Sequence, residues 1–490
     1  MKLNLMKRCS PLPFLLFLLI IGLDFNLGGQ LTAETFKTLY SFSAVSTNQT
    51  GVYTNSDGSN PYGLAVSGNT IYGVAFNGAL GIGAIFCLNT DGTGFTNLHS
   101  FAGSPNDGAN PANLILSGNT LYGAASTGGS VSAGGITSGT LFSLRTDGTG
   151  FTSVYSFSPK QLPPPSFQPS NTDGANPQAV SFSAGNVLYG TANSGGPYDS
   201  GTVFALNSDG SGFTTLHGFG YVNPSRPPYS NADGGRPNPV IVSGDTLYGT
   251  TYWGGTGGSG TVFAVKTNGN GFLVLHAFAR VPAFPPFNNE GGFPTAGLVL
   301  SGNTLYGTTY SGGSTGGGTV FAVNVDGTGF RILHDGGFAY GQLTLSGDTL
   351  YGTTLSSLFG DTVFKLHTDG SGFETLHVFT GANDGGGPAA GMTLIGNTLY
   401  GTTTKGGTGG SGTIFSLSLP PEPSRLAIKT SDVDVVVSWP TNYTGQTLVC
   451  ATNLDAPVWT TVVPPPVVLN GRYVLQAPVS ATRQFYRLNP

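Results

Sequence analysis

Residues 297–338 read GLVLSGNTLYGTTYSGGSTGGGTVFAVNVDGTGFRILHDGGF, and the same stretch, with changes, is written seven times along the chain. It contains four short segments rich in β-forming residues, which we name strands a, b, c and d: 298–300, 304–309, 319–323 and 330–334. Gly302-Asn303 and Asp326-Gly327 mark tight turns between them. No apolar spacing of three and four residues indicates a helix. The stretch therefore predicts a unit of four antiparallel strands.

The unit recurs at a regular period. Its strand-b signature, Ile/Leu-Tyr-Gly, is found at seven tyrosines spaced 45 to 67 residues apart: Tyr72, Tyr122, Tyr189, Tyr248, Tyr306, Tyr351 and Tyr400. A period of about 50 residues with four strands in each unit is typical of a β-propeller, in which each repeat forms one blade. The Gly and Pro content is therefore interpreted as turns of an all-β fold, not as disorder.

The strand-d signature, Phe-x-x-Leu-His/Tyr-x-Phe, is out of phase with the other three strands. Its first copy, at 36–42, precedes any strand a, and after the seventh strand c the chain runs into Pro420-Pro421. The Asp-Gly or Asn-Gly turn between strands c and d occurs only six times. Because unpaired sheet edges are a liability, we expect the N-terminal segment to be the outer strand of the last blade. The prediction is a seven-bladed propeller over residues 34–419, closed by an N-terminal outer strand.

The N-terminal residues 1–33 have the features of a signal peptide. Lys2, Lys7 and Arg8 precede an apolar run at 13–23, and Ala33 ends an acceptable cleavage site. We expect a secreted or cell-surface protein with no membrane span in the mature chain, the alternative being an uncleaved anchor. Removing residues 1–33 changes Lys+Arg from 18 to 15 and Asp+Glu from 23 to 22, so the net charge moves from −5 to −7. This charge argues against nucleic acid as a partner.

The C-terminal part has a different character. Residues 420–424 form a Pro-rich linker, and residues 425–490 contain less glycine and several alternating segments. We predict a small β-sandwich there, similar to fibronectin type III or immunoglobulin modules.

The repeated blade motif, LSGNTLYGTT followed by a glycine-rich loop and GTVFAVN-x-DGTGF, resembles the GloVer tandem repeat of exported bacterial proteins described as having a choice of anchor. The resemblance covers about residues 35–419. It implies a secreted or surface-attached, β-propeller-like protein. It assigns no activity and no catalytic residue.

Two sets of polar side chains recur once in each blade. The first occupies one position of strand d, and we interpret it as structural, because residues spread around a rim cannot converge on one metal: Tyr40, His99, Tyr155, His217, His276, His334 and His377. The second set is acidic and precedes strand a, usually in Asp-Gly-x-x-Pro: Asp57, Asp107, Asp173, Asp233, Glu290, Asp335 and Asp384. We interpret these acids as turn formers. The alternative is a ring of acids at one mouth of the channel that favours Ca²⁺ or a cationic group. We expect no cofactor, and the acids are weak metal candidates only.

Three consecutive d–a loops are long and rich in proline: 159–171, 221–232 and 279–290. In an antiparallel blade the b–c loops lie on the same face, so the long loops and the b–c loops of blades 3 to 5 form one sector. The ligand-binding candidates of this sector are Phe167, Tyr198, Arg226, Tyr229, Tyr252, Trp253, Arg280, Phe284, Phe287 and Tyr310. Flat aromatic rings suit a sugar face or a protein partner. Alternatively, these rings fold down as lids over the blades.

No nucleophile–base pair is visible, so no residue is assigned as catalytic. Our first hypothesis is an exported, monomeric, non-enzymatic binding or scaffold propeller. Its contact surface would be the long-loop face of blades 3–5, and its partner a polysaccharide or a surface protein. The second hypothesis is a carbohydrate-active propeller enzyme using carboxylates at the channel mouth. The third is a structural cell-surface protein with a C-terminal attachment module.

Overall fold

The structure is a computed structural model. It describes residues 34–47, 53–78, 82–105, 107–132, 135–161, 170–183, 186–222, 229–283, 285–337, 340–355, 360–420, 427–430, 434–440, 447–451, 460–462, 465–469, 472–478 and 485–489. The signal-peptide prediction falls on residues outside these ranges. Within them, no helix is long and apolar enough to cross a membrane.

Seven four-stranded antiparallel sheets follow one another along residues 34–420, and they form an all-β, seven-bladed propeller arrangement. Strand a of blade 4 is interrupted and counts as two short strands. In the order a to d, the strands of blades 1 to 3 are Ser59–Ser67, Thr70–Asn77, Ala84–Asn89 and Thr96–Ser100; Gly108–Ser117, Thr120–Gly128, Thr140–Arg145 and Thr152–Ser156; Ala175–Ser183, Val187–Ser194, Thr202–Asn207 and Thr214–Gly218. Those of blades 4 and 5 are Gly235–Pro237 with Ile241–Ser243, Thr246–Trp253, Thr261–Lys266 and Leu273–Ala277; Val299–Ser301, Thr304–Thr309, Thr319–Asn324 and Arg331–Asp335. Those of blades 6 and 7 are Thr344–Ser346, Thr349–Thr354, Thr362–His367 and Glu374–Val378; Thr393–Ile395, Thr398–Thr403, Thr413–Ser418 and, from the N-terminus, Thr35–Ser41.

The remaining described strands lie outside this ring. Ser46–Thr47 pairs with Tyr53–Thr54 in a small hairpin. The C-terminal part contains two further sheets. The first has the strand order Ala427–Thr430, Asp434–Pro440, Arg472–Pro478, Val467–Leu469. The second has the strand order Thr460–Thr461, Thr447–Ala451, Phe485–Asn489. Val437, Trp439, Leu448 and Leu475 form a buried cluster that joins residues of both sheets.

The invariant glycine of the Tyr-Gly signature makes room for a phenylalanine on strand c. A Cβ added at Gly307 would lie 2.6 Å from Cζ of Phe321 and 2.8 Å from Cδ2 of Leu298. Phe321 and Leu298 are fully buried. The same glycine–phenylalanine contact recurs in the other blades, for example between Gly249 and Phe263. The signature is therefore a packing requirement of the blade interior.

We expect Gly307→Ala to destabilise the protein by roughly 1–3 kcal/mol, because the added methyl overfills a close-packed site. Denaturant unfolding of wild type and variant measures the difference. Phe321→Leu in the same chain shortens the opposing side chain and should recover part of the loss. Equal stability of wild type and Gly307→Ala would mean that the contact is not tight in solution.

Seven apolar clusters, one between each pair of neighbouring blades, form the core. Each interface also carries a stack at the rim, in which the His or Tyr ring of one strand d lies on the first Phe of the next strand-d motif. These seven pairs have centroid distances of 3.6–4.2 Å: Tyr40–Phe95, His99–Phe151, Tyr155–Phe213, His217–Phe272, His276–Phe330, His334–Phe373 and His377–Phe36. The strand-d motif thus serves packing between blades.

The N-terminal strand, Thr35–Ser41, takes part in two of these interfaces. It pairs antiparallel with Thr413–Ser418 of blade 7, with Thr35 opposite Ser418 and Ser41 opposite Thr413. Phe36 packs against the cluster between blades 6 and 7, and Phe42, which follows the strand, is fully buried in the cluster between blades 7 and 1. The first and last parts of the propeller sequence therefore share one sheet.

Candidate functional site

The recurring acids and the recurring His or Tyr residues, which the sequence presents separately, contact each other in six of the seven blades. The side-chain pairs lie 2.8–3.4 Å apart: Tyr40–Asp57, His99–Asp107, Tyr155–Asp173, His217–Asp233, His276–Glu290 and His377–Asp384. Each carboxylate also accepts a backbone N–H from the residue three positions after the His or Tyr: Ser43, Ala102, Ser158, Gly220, Ala279 and Thr380. We call this arrangement the rim clasp. It holds the end of a d–a loop, which leads into strand a of the next blade, against the preceding strand d and the start of the same loop.

Asp335 departs from this pattern. It ends strand d of blade 5, and its carboxylate accepts the backbone N–H of Ser314 in the b–c loop of the same blade at 2.8 Å. None of the seven acids is among the residues that line the central channel. Among the described residues no group of three or more His, Cys, Asp or Glu side chains could hold a metal ion. Six of the acids therefore contact the outer strand d, and none of the seven lines the channel.

The central channel is neutral. It encloses about 830 Å³, and its described lining contains amides, hydroxyls and apolar side chains but no charged residue. Asn238 donates to the carbonyl oxygen of Pro294 at 2.8 Å, and Gln342 donates to that of Leu298 at 3.0 Å. Tyr62 donates to the carbonyl oxygen of Ala389 at 3.3 Å. The polar groups of the lining thus largely tie neighbouring blades together.

The strongest departure from the repeat is at the third residue of Gly-x-x-Pro, which lies at the start of strand a in blades 1 to 4 and before it in blade 5. This residue adopts a positive φ in each of blades 1 to 5: Asn60, Asn110, Asn176, Arg236 and Phe293. Asn tolerates this left-handed conformation, whereas larger side chains rarely adopt it. Arg236, at φ 54°, and Phe293, at φ 56°, are therefore strained where the repeat elsewhere uses Asn.

In blades 2 and 3 the Asn has a polar partner at the end of strand b. Thr127 donates its hydroxyl to Asn110 at 2.9 Å, and Ser194 donates to Asn176 at 2.8 Å. Each of these hydroxyl residues lies five positions after the signature tyrosine of its blade. In blade 4 both members of the pair are changed.

Arg236 replaces the Asn in blade 4, and Trp253 replaces the hydroxyl residue. The Cζ atom of Arg236 lies 4.0 Å from the centroid of the Trp253 ring, a cation–π contact. Tyr229 of the d–a loop, itself at φ 48°, stacks on the same indole at 5.5 Å. Arg236 is exposed, whereas Trp253 and Tyr229 are only partly so. Blade 4 thus exchanges a hydrogen-bonded pair for a cation held on an aromatic face.

Blade 5 extends the cluster toward the channel. Phe293 lies 5.4 Å from Tyr252, the neighbour of Trp253 in strand b of blade 4. Burial raises the pKa of Tyr252, and Tyr310 and Tyr340 add to the rise, so these phenols lie near one another. Tyr310 contacts Tyr340 edge to face at 6.0 Å, and Tyr340 lines the channel. We call these residues the aromatic strip: Tyr229, Arg236, Tyr252, Trp253, Phe293, Tyr310 and Tyr340.

At its other end the strip borders a cavity of about 340 Å³ between blades 3 and 4, lined by Lys160, Asn176, Tyr198, Asp199, Arg236 and Trp253, among others. Lys160 pairs with Asp199 at 2.6 Å, and both side chains are largely buried. Asp199 also accepts the backbone N–H of Gly195 at 2.7 Å. A protein of negative net charge therefore has two cations and one acid at this cavity.

The predicted site residues fall into three groups. Tyr229, Tyr252, Trp253 and Tyr310 meet in the strip, and Tyr198, 54% exposed, lies at the adjoining cavity. Phe287, 50% exposed, and Arg280, also exposed, lie in the loop that precedes blade 5, and neither lines this cavity. Phe167, Arg226 and Phe284 fall outside the described residues. The rings of the strip are neither a sealed lid nor an open groove, because they stack on one another and stay partly exposed.

Three residues of the strip were missed from the sequence: Arg236, Phe293 and Tyr340. Lys160 at the adjoining cavity was missed as well. A comparison of blades at the residue before Pro237 and Pro294 finds the first two, since Asn stands there in blades 1 to 3. Nothing in the repeat marks Lys160, because it lies in a d–a loop of variable length.

The blade count, the neutral channel and the repeated clasps define the class: this is a β-propeller built from one tandem sequence repeat. A family model described as the Gloeobacter/Verrucomicrobia repeat matches residues 30–227, 165–335 and 229–415, so the chain belongs to this family. The predicted resemblance to the GloVer repeat is confirmed.

No curated protein matches the chain. Among solved structures it is similar to an oligogalacturonate lyase in complex with manganese, at 12% identity over 80% of this chain and 97% of that one, with a TM-score of 0.48. It is also similar to YCF48 from Cyanidioschyzon merolae, at 10% identity over 79% and 99%, with a TM-score of 0.46. Likenesses at these identities concern the fold alone.

Proposed function

We propose that this protein is a non-enzymatic binding propeller and that the aromatic strip on blades 4 and 5, with the cavity beside it, is its contact surface for a carbohydrate chain. The observation that carries the proposal is the exchange of the Asn–hydroxyl pair for Arg236 and Trp253 in blade 4. Blades 2 and 3 build the same corner with a hydrogen bond, so the fold does not require the cation–aromatic pair.

Strain supports this proposal. A bulky residue held at positive φ costs on the order of 1–3 kcal/mol, and such residues cluster at ligand sites. Arg236, Tyr229 and Phe293 all have positive φ, and each has a ring contact within the strip. Conformational cost concentrated at one corner of a regular repeat favours a role in binding over a role in folding.

The chemistry of the strip suits sugars. Tyr and Trp rings present flat apolar faces with a hydrogen-bonding edge, and they lose little conformational freedom when a ligand binds. Tyr198, which lines the cavity together with Trp253, is 54% exposed, and Tyr310, which contacts Tyr340, is 38% exposed. Long loops on a rigid scaffold are also where binding residues concentrate.

The test is a double variant, Arg236→Asn with Trp253→Ser, which gives blade 4 the pair that blade 3 already has. We expect it to fold with a cooperative melting transition and to lose at least about tenfold in affinity for any glycan that the wild type binds on an array. A tenfold loss is about 1.4 kcal/mol, within the range of roughly 1–3 kcal/mol known for a nucleobase stacked on an aromatic ring. Calorimetry measures the affinity.

Phe76→Ala is the matched control. Phe76 occupies the Tyr252 position in blade 1, is 38% exposed and lies outside the sector. It should bind as the wild type does. Glycan binding that survives the double variant, or no glycan binding by the wild type, would exclude this surface as a carbohydrate site.

We further propose that the protein is exported through residues 1–33, that the N-terminal strand closes the ring over residues 34–419, and that residues 425–490 are a separate β-sandwich after a Pro-rich linker at 420–424. The pairing of Thr35–Ser41 with blade 7 and the buried Trp439 cluster support the second and third of these statements. Retention on cells that disappears when residues 425–490 are removed would favour a surface-attached role for that domain.

A further inference from the structure

We propose that the carbohydrate bound by the aromatic strip is acidic, and that Arg236 receives the carboxylate of a uronate residue while the adjoining sugar stacks on Trp253 or Tyr198. This inference rests on the proposed function and adds the class of ligand. It follows from the charges around the cavity between blades 3 and 4.

The cavity contains one lysine–acid ion pair. Lys160 and Asp199 neutralise each other at 2.6 Å, with only 15% and 22% of their side chains exposed. Asp199 is held further by the backbone N–H of Gly195. This pair is therefore internally satisfied, and it leaves Arg236 as the uncompensated charge among the residues that line the cavity.

Within the described part of the chain the side chain of Arg236 makes no ion pair with Asp or Glu. Its close contact is the indole of Trp253. The contact with the indole restrains the guanidinium. A guanidinium carries N–H donors in a geometry that matches a carboxylate bidentately. The arginine is thus restrained before a ligand arrives.

The amide side chain of Asn193 also lines the cavity and suits a sugar hydroxyl. Asn176 and Ser194 lie on the same lining and are hydrogen-bonded to each other at 2.8 Å. Tyr198 and Trp253 lie on the same lining. A negatively charged protein that places Arg236, which has no acidic partner among the described residues, at a cavity lined by two aromatic rings is complementary to an anionic sugar.

The experiment uses a pair of ligands that differ only in charge: homogalacturonan oligosaccharides as the free acid and as the methyl ester. Binding to the full-length mature protein is measured by calorimetry at two salt concentrations. We expect the free acid to bind roughly tenfold to a hundredfold more tightly than the ester, since hydrogen bonds to charged groups are worth about twice neutral ones. The preference should weaken at high salt.

Variants separate the two contributions. Arg236→Asn should remove the preference for the free acid, so that acid and ester bind with equal affinity, and Asn is the residue that the repeat tolerates there. Trp253→Ala should weaken both ligands alike. Lys160→Ala, which removes the partner of Asp199, should reduce binding of the free acid by leaving a carboxylate uncompensated.

The outcomes are distinct. Equal affinity for acid and ester, both lost in Trp253→Ala, would overturn the acidic ligand while sustaining the carbohydrate site. Tighter binding of dextran sulfate than of the free acid would overturn the assignment of a carboxylate as the group that Arg236 receives. Polyglutamate could bind as tightly as the free acid and independently of Trp253. That result would overturn the assignment of a sugar as the ligand. Binding of none of these probes would overturn both proposals.

Discussion

A mature chain that begins at residue 44 instead of residue 34 is expected to lose the folded ring. It lacks the strand Thr35–Ser41, which pairs with Thr413–Ser418, together with Phe36 and Phe42. Truncating a single buried Phe typically costs about 3–5 kcal/mol. The loss of the whole strand approaches the total stability of an ordinary domain, about 5–15 kcal/mol. It also exposes strand c of blade 7 as an unpaired edge, which favours aggregation.

Size-exclusion chromatography and thermal melting measure this effect, with the chain that begins at residue 34 as the control. A synthetic peptide of residues 34–43 should restore part of the soluble, cooperatively melting protein, because it supplies the missing strand in trans. A chain from residue 44 that stays monomeric and melts at the control temperature would show that the N-terminal strand does not close the ring.

Acid is expected to destabilise the protein below about pH 6.5, before the carboxylates titrate. Burial lowers the pKa of His276, His334 and His377 from the usual 6.5, against the opposing charges of Glu290, Asp335 and Asp384 respectively. The unfolded chain therefore takes up protons first. The stabilisation is complete above pH 6.5 and decreases as pH falls from 6.5 through the folded pKa values. We expect the melting temperature to fall by roughly 5 °C between pH 7.5 and 5, a few kcal/mol in total.

The repeat supplies the variant that tests this prediction. Tyrosine occupies the same strand-d position in two blades, where Tyr155 donates to Asp173 at 2.9 Å and stacks on Phe213. Replacing His276, His334 and His377 by Tyr should keep the ring stacking at all three positions and the contact with the carboxylate at 276 and 377. The melting temperature of this variant should then change little between pH 5 and 7. Below pH 4 the wild type and the variant should again lose stability together, since the pKa of Asp384 is lowered: burial raises it, but hydrogen bonds from Thr380 outweigh burial. An unchanged pH profile in the triple variant would exclude the histidines as the source.

Much of the propeller could be predicted from the sequence because its information is periodic. The seven Tyr-Gly signatures give the number of blades. The first copy of the strand-d motif, at 36–42, is out of phase and indicates which strand pairs with strand c of blade 7. Each strand alternates or runs apolar over five or six residues, which is enough to fix its type. The two sets of recurring polar residues were visible too, but their mutual contact was not, since seven to eighteen residues separate the members of a clasp.

The candidate site was only half visible, and the reason lies in backbone conformation. Aromatic residues near long loops are found from composition, so Tyr252 and Trp253 were identified, although they end strand b and do not lie in the b–c loop. Arg236 and Phe293 lie in short, ordinary-looking Gly-x-x-Pro segments, and their significance appears only when φ is known. The pairing of Arg236 with Trp253 depends on two segments 17 residues apart in sequence, which no local pattern joins.

The most direct test of the binding surface uses fluorine NMR of the full-length mature protein labelled with 5-fluorotryptophan. The chain has three Trp residues, Trp253, Trp439 and Trp459, so three resonances are expected. Comparison with Trp253→Phe assigns the resonance of Trp253. On titration with homogalacturonan oligosaccharide or its methyl ester, we predict that this resonance shifts and saturates at the calorimetric affinity while the other two stay in place. A resonance of Trp253 that is unmoved by a saturating ligand would contradict the assignment of the strip as the contact surface.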